Sequence, residues 1–269
     1  MEQHGSGYDE NFLLEADSDL SGDNTDADSA LGDGMSIYSS TASLRSSLIN
    51  HRDENGRKYH AFKEGKYLLP TDEPYAPSNA SFEIDDLEEQ WTFSFKFDYI
   101  HAMMMTGAFR DWGNFYRQAF EFLNTDGWVE IQDIDFPLRC ADGSLPADST
   151  LQKWSDIMME ASEKAGFLLN TCGRAADFMK EAGFVDIVRV PYKWPIGRWP
   201  KNEKMKELGS LARENFIGGV ETMSLALFTR FLGWTLDDVK NFTEKVRHDM
   251  CQPSYHTYFD LYVTYGRKP

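Results

Sequence analysis

One histidine and two pairs of carboxylates stand where this chain could do proton chemistry. His101 follows the apolar run at residues 97–100, and a side chain that titrates near neutrality suits a general base. A histidine hydrogen-bonded to nearby backbone explains the position equally well. Asp85 and Asp86 end a shorter run at residues 82–84, where a carboxylate caps the next helix or faces solvent. Asp133 and Asp135 follow a third run and either line a pocket or cap a turn, with the turn the preferred reading. Cys140, Cys172 and Cys251 are odd in number, widely spaced and without close histidine pairs, so they fit reduced thiols and no metal is expected.

The elements that must position these groups alternate between short apolar runs and helix-period segments, the pattern of an α/β fold with a largely parallel sheet. Residues 82–85, 97–103 and 127–134 predict three successive strands. Between the last two, Trp112, Phe115, Tyr116, Ala119, Phe122 and Leu123 recur every three or four residues and predict an amphipathic helix. Leu151, Trp154, Ile157, Met158, Ala161 and Ala165 predict a second, and a third runs from about Arg174 to Gly183. Residues 184–190 predict a strand, after which Pro191, Trp194, Pro195, Gly197, Trp199 and Pro200 are expected to break regularity. A helical stretch follows from Met205 to Phe231, kinked or divided at Gly218-Gly219. Thr235 with Asp238 resembles a capping box opening another helix, and residues 255–265 alternate as a strand.

Composition sets the outer limits. Across 269 residues, 41% hydrophobic and 14% aromatic content is ample for a core. The first 34 residues hold ten acidic side chains and no Lys or Arg, and account for ten of the seventeen net negative charges. Such a segment cannot bury enough apolar surface to offset its chain entropy, so residues 1–35 are expected to be a disordered acidic tail, solubilising or interacting. Residues 36–78 are then an N-terminal arm, and residues 79–269 the globular body, with a helical insertion over about 201–250. No Lys/Arg cluster offers phosphate contacts, which excludes an ordinary nucleic-acid binder. No apolar run reaches membrane-spanning length and no basic segment leads into an apolar stretch at the N-terminus, so no membrane is expected and the cytoplasm or nucleus is.

Six stretches carry a resemblance. They are Glu54-Asn55-Gly56-Arg57-Lys58-Tyr59-His60-Ala61, Phe82-Glu83-Ile84-Asp85-Asp86, Phe97-Asp98-Tyr99-Ile100-His101, Gly127-Trp128-Val129-Glu130-Ile131-Gln132-Asp133, Pro195-Ile196-Gly197-Arg198-Trp199-Pro200-Lys201 and Tyr265-Gly266-Arg267-Lys268-Pro269. In this order the chain resembles the fungal LaeA-like S-adenosylmethionine-dependent methyltransferases of the class I, Rossmann-like fold. The resemblance implies S-adenosylmethionine as cofactor and a small metabolite or protein side chain as methyl acceptor. It places Asp85 and Asp86 near the adenine amino group, and His101 where acceptor and sulfonium meet, a candidate catalytic and cofactor-binding residue. Trp112, Trp194, Trp199, Phe216 and Met223 become candidate substrate-pocket residues, with Phe228 and Trp234 beside them, although helical spacing explains each as simply by core packing. Tyr59, Tyr67 and Trp112 close the cofactor side or pin the arm.

In that fold the first strand ends in a Gly-rich turn over the cofactor, and the second ends in an acid that holds the ribose. Both belong between Glu73 and Phe82, where this chain has eight residues, spanning at most about 29 Å. A single βαβ unit needs about 30 residues. No G-x-G-x-x-G follows a strand anywhere; Met103 replaces the family's usual Arg, and Thr125-Asp126-Gly127 its Pro-Gly-Gly. The sheet is therefore expected to be truncated to about five strands, with the segment at residues 82–85 pairing beside that at 97–103. Losing the ribose carboxylate and two loop donors costs on the order of 5 kcal/mol, which takes a micromolar cofactor to about millimolar. Three readings follow: an impaired methyltransferase, a non-catalytic relative acting as an interaction or regulatory module with a protein partner, or loss of an exon of about 60 to 90 residues, the size of two βα units.

Overall fold

The computed structural model describes residues 14–17, 51–54, 57–60 and 85–269, with the backbone alone for the two segments between 51 and 60. Strands β1 (His51–Glu54) and β2 (Arg57–His60) pair as an antiparallel hairpin. The body then runs β3 (Phe97–Met103), α1 (Trp112–Phe122), β4 (Leu123–Cys140), α2 (Thr150–Ala165), α3 (Ala175–Ala182), β5 (Val185–Ile196), α4 (Glu203–Leu232), α5 (Leu236–Met250) and β6 (Thr257–Arg267). Its sheet has the order β3-β4-β6-β5, with β3 parallel to β4 and β6 antiparallel to both neighbours. This is an α/β mixed sheet with flanking helices; the alternating pattern predicts the α/β class but a largely parallel sheet, whereas two of the three pairings in this sheet are antiparallel. The strand expected over residues 82–85 falls outside the described residues except for Asp85, which is not in a strand.

Two strands run longer than the sequence suggests. β4 continues past the end of β3 because β6 pairs its other side as far as Cys140, opposite Thr257. β5 runs through Pro191 and Pro195 to Ile196, where a break is expected. It is the outer strand of the sheet, bonded only to β6 among the described residues, and a proline on an edge strand can point its missing N–H away from the ladder.

Two apolar cores result. The sheet core lies between α1, α3 and one face of β3 and β4, and contains Trp91, Phe109, Trp112, Phe115, Tyr116, Val129, Ile131 and Met179. The roof core forms where α2, α4 and α5 pack on the far half of β4, β5 and β6, and contains Phe136, Trp154, Phe216, Phe228 and Phe259. α4 is one continuous helix of 30 residues, not divided at Gly218-Gly219. Gly218 has open space around it and Val220 is fully buried, so packing of the adjacent turn outweighs the roughly 1 kcal/mol propensity cost of each glycine. Gly209 fixes where α4 docks: a Cβ there would stand 2.0 Å from the Gly197 carbonyl oxygen. The Gly197 N–H in turn donates to the Gly209 carbonyl at 2.8 Å.

α5 begins with the expected capping box, the Asp238 N–H donating to the Thr235 hydroxyl while the Thr235 N–H donates to the Asp238 carboxylate. Four residues of the acidic N-terminal stretch are also placed. Ala16 bridges Pro200, Asp17 N–H donates to the Trp199 carbonyl at 2.9 Å, and Lys206 pairs with Asp17. The rest of the tail lies outside the described residues.

Candidate functional site

The site for an α/β enzyme lies at the carboxyl ends of its parallel strands, here the ends of β3 and the neighbouring part of β4. Chain leaving β3 turns sharply at Met104, whose φ of 55° is in the left-handed region. A buried carboxylate holds the turn. Asp133 accepts the Met105 N–H at 2.7 Å and the Ile134 N–H at 2.8 Å, and also takes the Thr106 hydroxyl. Asp133 is 1% exposed, and burial pushes its pKa up to about 6 against the pull of those hydrogen bonds, with Asp135 adding repulsion.

Asp135 does the same for the turn before α3. It accepts the Cys172 and Gly173 N–H groups, each at 2.8 Å, and burial raises its pKa as well. A Cβ on Gly173 would lie 2.7 Å from the Asp135 carboxylate, so the backbone approaches closely there. Both acids cap turns. The Tyr116 hydroxyl, near Asp133, and the Thr264 hydroxyl on β6 are buried with no hydrogen-bond partner among the described residues. Burial, Asp133 and Asp135 also push the Cys172 thiol upwards. Tyr116 is read by periodicity as a position on the apolar face of α1; its hydroxyl carries no sequence signal.

His101 is on the other face of the sheet. Alternation along β3 puts Tyr99, His101 and Met103 on one side, in register with Trp128, Glu130 and Gln132 of β4. His101 Nε2 lies 3.7 Å from a Glu130 carboxylate oxygen, and its ring stacks on Tyr99 with centroids 6.0 Å apart. Burial and Glu130 together raise the Tyr99 phenol. The neighbour of His101 is thus a carboxylate, and Tyr99 and Met103 beside it are 52% and 55% exposed. Asp85 and Asp86 are remote from this arrangement in role: Asp85 accepts the Asp86 N–H at 2.8 Å and Asp86 the Glu88 N–H at 3.1 Å, forming a local turn.

The five candidate pocket residues do not share one cavity wall. Trp112 is in the sheet core, packed edge-on to Phe109 at 4.8 Å and Phe115 at 5.7 Å. Helical periodicity cannot tell which of two cores a residue enters, and α1 covers the sheet rather than the roof. Trp194, Phe216 and Met223 meet in the roof, Trp194 and Phe216 with centroids 6.1 Å apart. Trp199 is buried at the end of β5, its indole N–H donating to the Thr257 carbonyl at 3.0 Å and its ring stacked on His256 at 5.2 Å. There His256 pairs with Asp142, which also receives the Ser144 N–H at 3.0 Å and lies 3.3 Å from the Cys140 sulfur. Tyr59 and Tyr67 cannot be assessed: the side chain of the first and the whole of the second lie outside the described residues.

Among the described residues no cluster of three or more His, Cys, Asp or Glu side chains could hold a metal ion, and no helix is long and apolar enough to cross a membrane. The groups present do not fit an S-adenosylmethionine cradle either. The adjacent acids Asp85 and Asp86 are engaged in their own turn, Asp133 is filled by loop donors, and no described strand pairs the outer side of β3, where a first strand with its Gly-rich turn would lie.

Comparison with known proteins gives the following. Residues 27–186 match a family model described as a methyltransferase domain. The chain is 36% identical over 205 residues to methyltransferase pytC of Aspergillus terreus, covering 76% of this chain and 63% of that protein. It is 34% identical to the probable methyltransferase tdiE of Emericella nidulans, covering 70% of this chain and 59% of the relative. To the secondary metabolism regulator LAE1 of Cochliobolus heterostrophus it is 30% identical, covering 72% and 64% respectively. The match thus spans less than two thirds of each of these relatives. Among solved structures, phosphoethanolamine N-methyltransferase 2 of Haemonchus contortus, in complex with S-adenosyl-L-methionine, aligns at a TM-score of 0.37 and 16% identity, over 69% of this chain and 36% of that one.

Proposed function

This chain belongs to the class I methyltransferase family, in its LaeA-like fungal branch, and from that premise we propose that it keeps the acceptor-side half of the fold while its transfer of methyl groups from S-adenosylmethionine is impaired. The ancestral acceptor is a small metabolite or a protein side chain. Its remaining use is as an interaction or regulatory module in secondary metabolism, a setting named for several relatives. The observation that carries this reading is the outer side of β3: among the described residues nothing pairs with it, although it is where the cofactor-binding strands of a complete sheet would join.

Methyl transfer is an in-line displacement in which the protein aligns nucleophile and methyl group. S-adenosylmethionine, when bound, supplies the electrophilic methyl. With no cradle to seat it, His101 has nothing to act beside, and its pairing with Glu130 on an exposed face is a surface arrangement. Isothermal titration of the full chain with S-adenosylmethionine tests this. The expected result is no heat of binding below the millimolar range; a micromolar dissociation constant overturns it.

A further inference from the structure

The two edges of the sheet are finished in opposite ways. β5 carries Pro191 and Pro195, with Arg189 and Lys193 between Val188 and Trp194, the devices that keep an edge strand from pairing with another chain. β3, Phe-Asp-Tyr-Ile-His-Ala-Met, has no proline, lysine or arginine. Its one carboxylate, Asp98, accepts a hydrogen bond from the Asn124 side chain at 2.8 Å. Alternate residues of a strand turn their N–H and C=O groups outward, and on β3 these have no ladder partner among the described residues. Large apolar side chains flank that edge: Phe95 is 60% exposed, followed by Tyr99, Met103 and Met104.

We propose that β3 pairs antiparallel with β3 of a second copy of this chain across a two-fold axis at Ile100, joining two four-stranded sheets into one of eight. The sequence of β3 selects both the occupant and the register. Only a centre at Ile100 pairs all seven residues. It sets Phe97 against Met103, Asp98 against Ala102 and Tyr99 against His101. No like charges face each other, and the exposed ring of Tyr99 gains a partner ring on the other copy. A centre at Asp98 would oppose two carboxylates and a centre at His101 two imidazoles, each destabilising when charged. Just beyond the strand ends, the exposed side chains of Phe95 and Met104 lie beside the two ends of the seam. A two-fold contact of one patch with itself is the usual geometry of a homodimer. The net charge of −17 on each chain opposes association, so the dimer tightens as salt is raised.

This inference does not depend on whether cofactor binds, and the two are read by different measurements. Analytical ultracentrifugation of the full chain at tens of micromolar is expected to show twice the 30.9 kDa monomer. The double variant Tyr99→Lys/His101→Lys, changed at positions exposed to solvent, is expected to be monomeric, as is Tyr99→Glu/His101→Glu. Mixing the two restores the dimer, because Lys then faces Glu throughout the seam. A Val188→Lys variant near the opposite edge stays dimeric. Hydrogen exchange needs no variant: amides of residues 97–103 are expected to gain protection as concentration rises. A wild-type monomer throughout this range overturns the proposal. So do variants that are folded but stay dimeric alone or fail to recombine. Protection of the outward-pointing β3 amides that is independent of concentration also overturns it, since a segment of the same chain would then cover the edge.

Discussion

In the roof, α2, α4 and α5 close on the far half of β4 and β6, so that Trp154, Phe228 and Phe259 have no contact with water. In the sheet core, α1 and α3 cover one face of β3 and β4 and leave Tyr99, His101 and Met103 on the other face in solvent. A helical layer can bury its own apolar stripe by packing on a second helix. A sheet buries both faces only when elements arrive from both sides. The roof is therefore complete within the described residues and the sheet is half covered.

The sharpest way to break this contrast is to cut a large side chain from each region. Trp154 is fully buried, and its indole N–H donates to the Ser224 hydroxyl at 2.9 Å. Trp154→Ala is expected to cost about 3–5 kcal/mol, read as a large fall in urea midpoint. Tyr99→Ala removes a comparable ring from the open face and, in dilute protein where the chain is monomeric, is expected to change stability by about 0.5 kcal/mol or less. Equal losses at the two sites would show that the sheet face is covered after all.

Titration sharpens the comparison because Asp133 and Asp142 are shifted in opposite directions. Burial holds Asp133 in the sheet core at about 6, against 3.8 for an ordinary Asp. A raised pKa means that the folded state holds the proton more tightly than the unfolded one. This contribution is fully present below about pH 4 and is lost as pH rises through 6, a change of about 3 kcal/mol for two units. At the roof end, burial pushes Asp142 upwards, but hydrogen bonds with His256, Ser144 and Cys140 outweigh it and hold the carboxyl below the usual range. Its contribution is present above pH 4 and lost as pH falls. Asp133→Asn should flatten the decline of stability between pH 4 and 6 relative to wild type, while Asp142→Asn should flatten only the acid limb. Urea midpoints from pH 3 to 7 for the three proteins check both slopes.

A smaller effect tests how the roof is built. Thr235→Ala removes the side-chain acceptor of the capping box at the start of α5 and is expected to cost about 1 kcal/mol. A Thr235→Ser variant, which keeps the hydroxyl, should recover most of it. The thermal midpoint reports both.

That capping box was legible in the sequence, as were α1, α2, α3 and the approximate positions of β3 to β6, because they depend on spacing within a few residues. What was not legible depends on partners distant in the chain. Pro191 and Pro195 read as a break until β5 is known to be an edge strand, and Gly218-Gly219 as a kink until Val220 is seen buried. Trp112 and Phe216 have the same helical spacing, yet enter different cores. Asp133 and Asp135 read correctly as turn caps, but Thr106 and Tyr116 join Asp133 only through the alignment of β3 and α1 on β4. Leu14 to Asp17 lie in a stretch whose composition predicts disorder, and four residues of it dock on Trp199, Lys201 and Lys206 through backbone bonds and two ion pairs that no composition reveals.

The smallest expected effect is also the one that best separates a damaged site from an absent one. Met103→Arg restores the residue type usual in the family at an exposed position at the end of β3. Arg brings donors that fit a carboxylate in a fork, and at 55% exposure the change should alter stability by about 0.5 kcal/mol or less. If Met103 alone limits cofactor binding, calorimetry of this variant will find S-adenosylmethionine bound in the micromolar range. The expected result is no gain. An arginine can hold one end of a ligand, but the Gly-rich turn and ribose acid would belong to strands beyond β3, and no side chain on β3 can replace backbone donors that a neighbouring strand must supply.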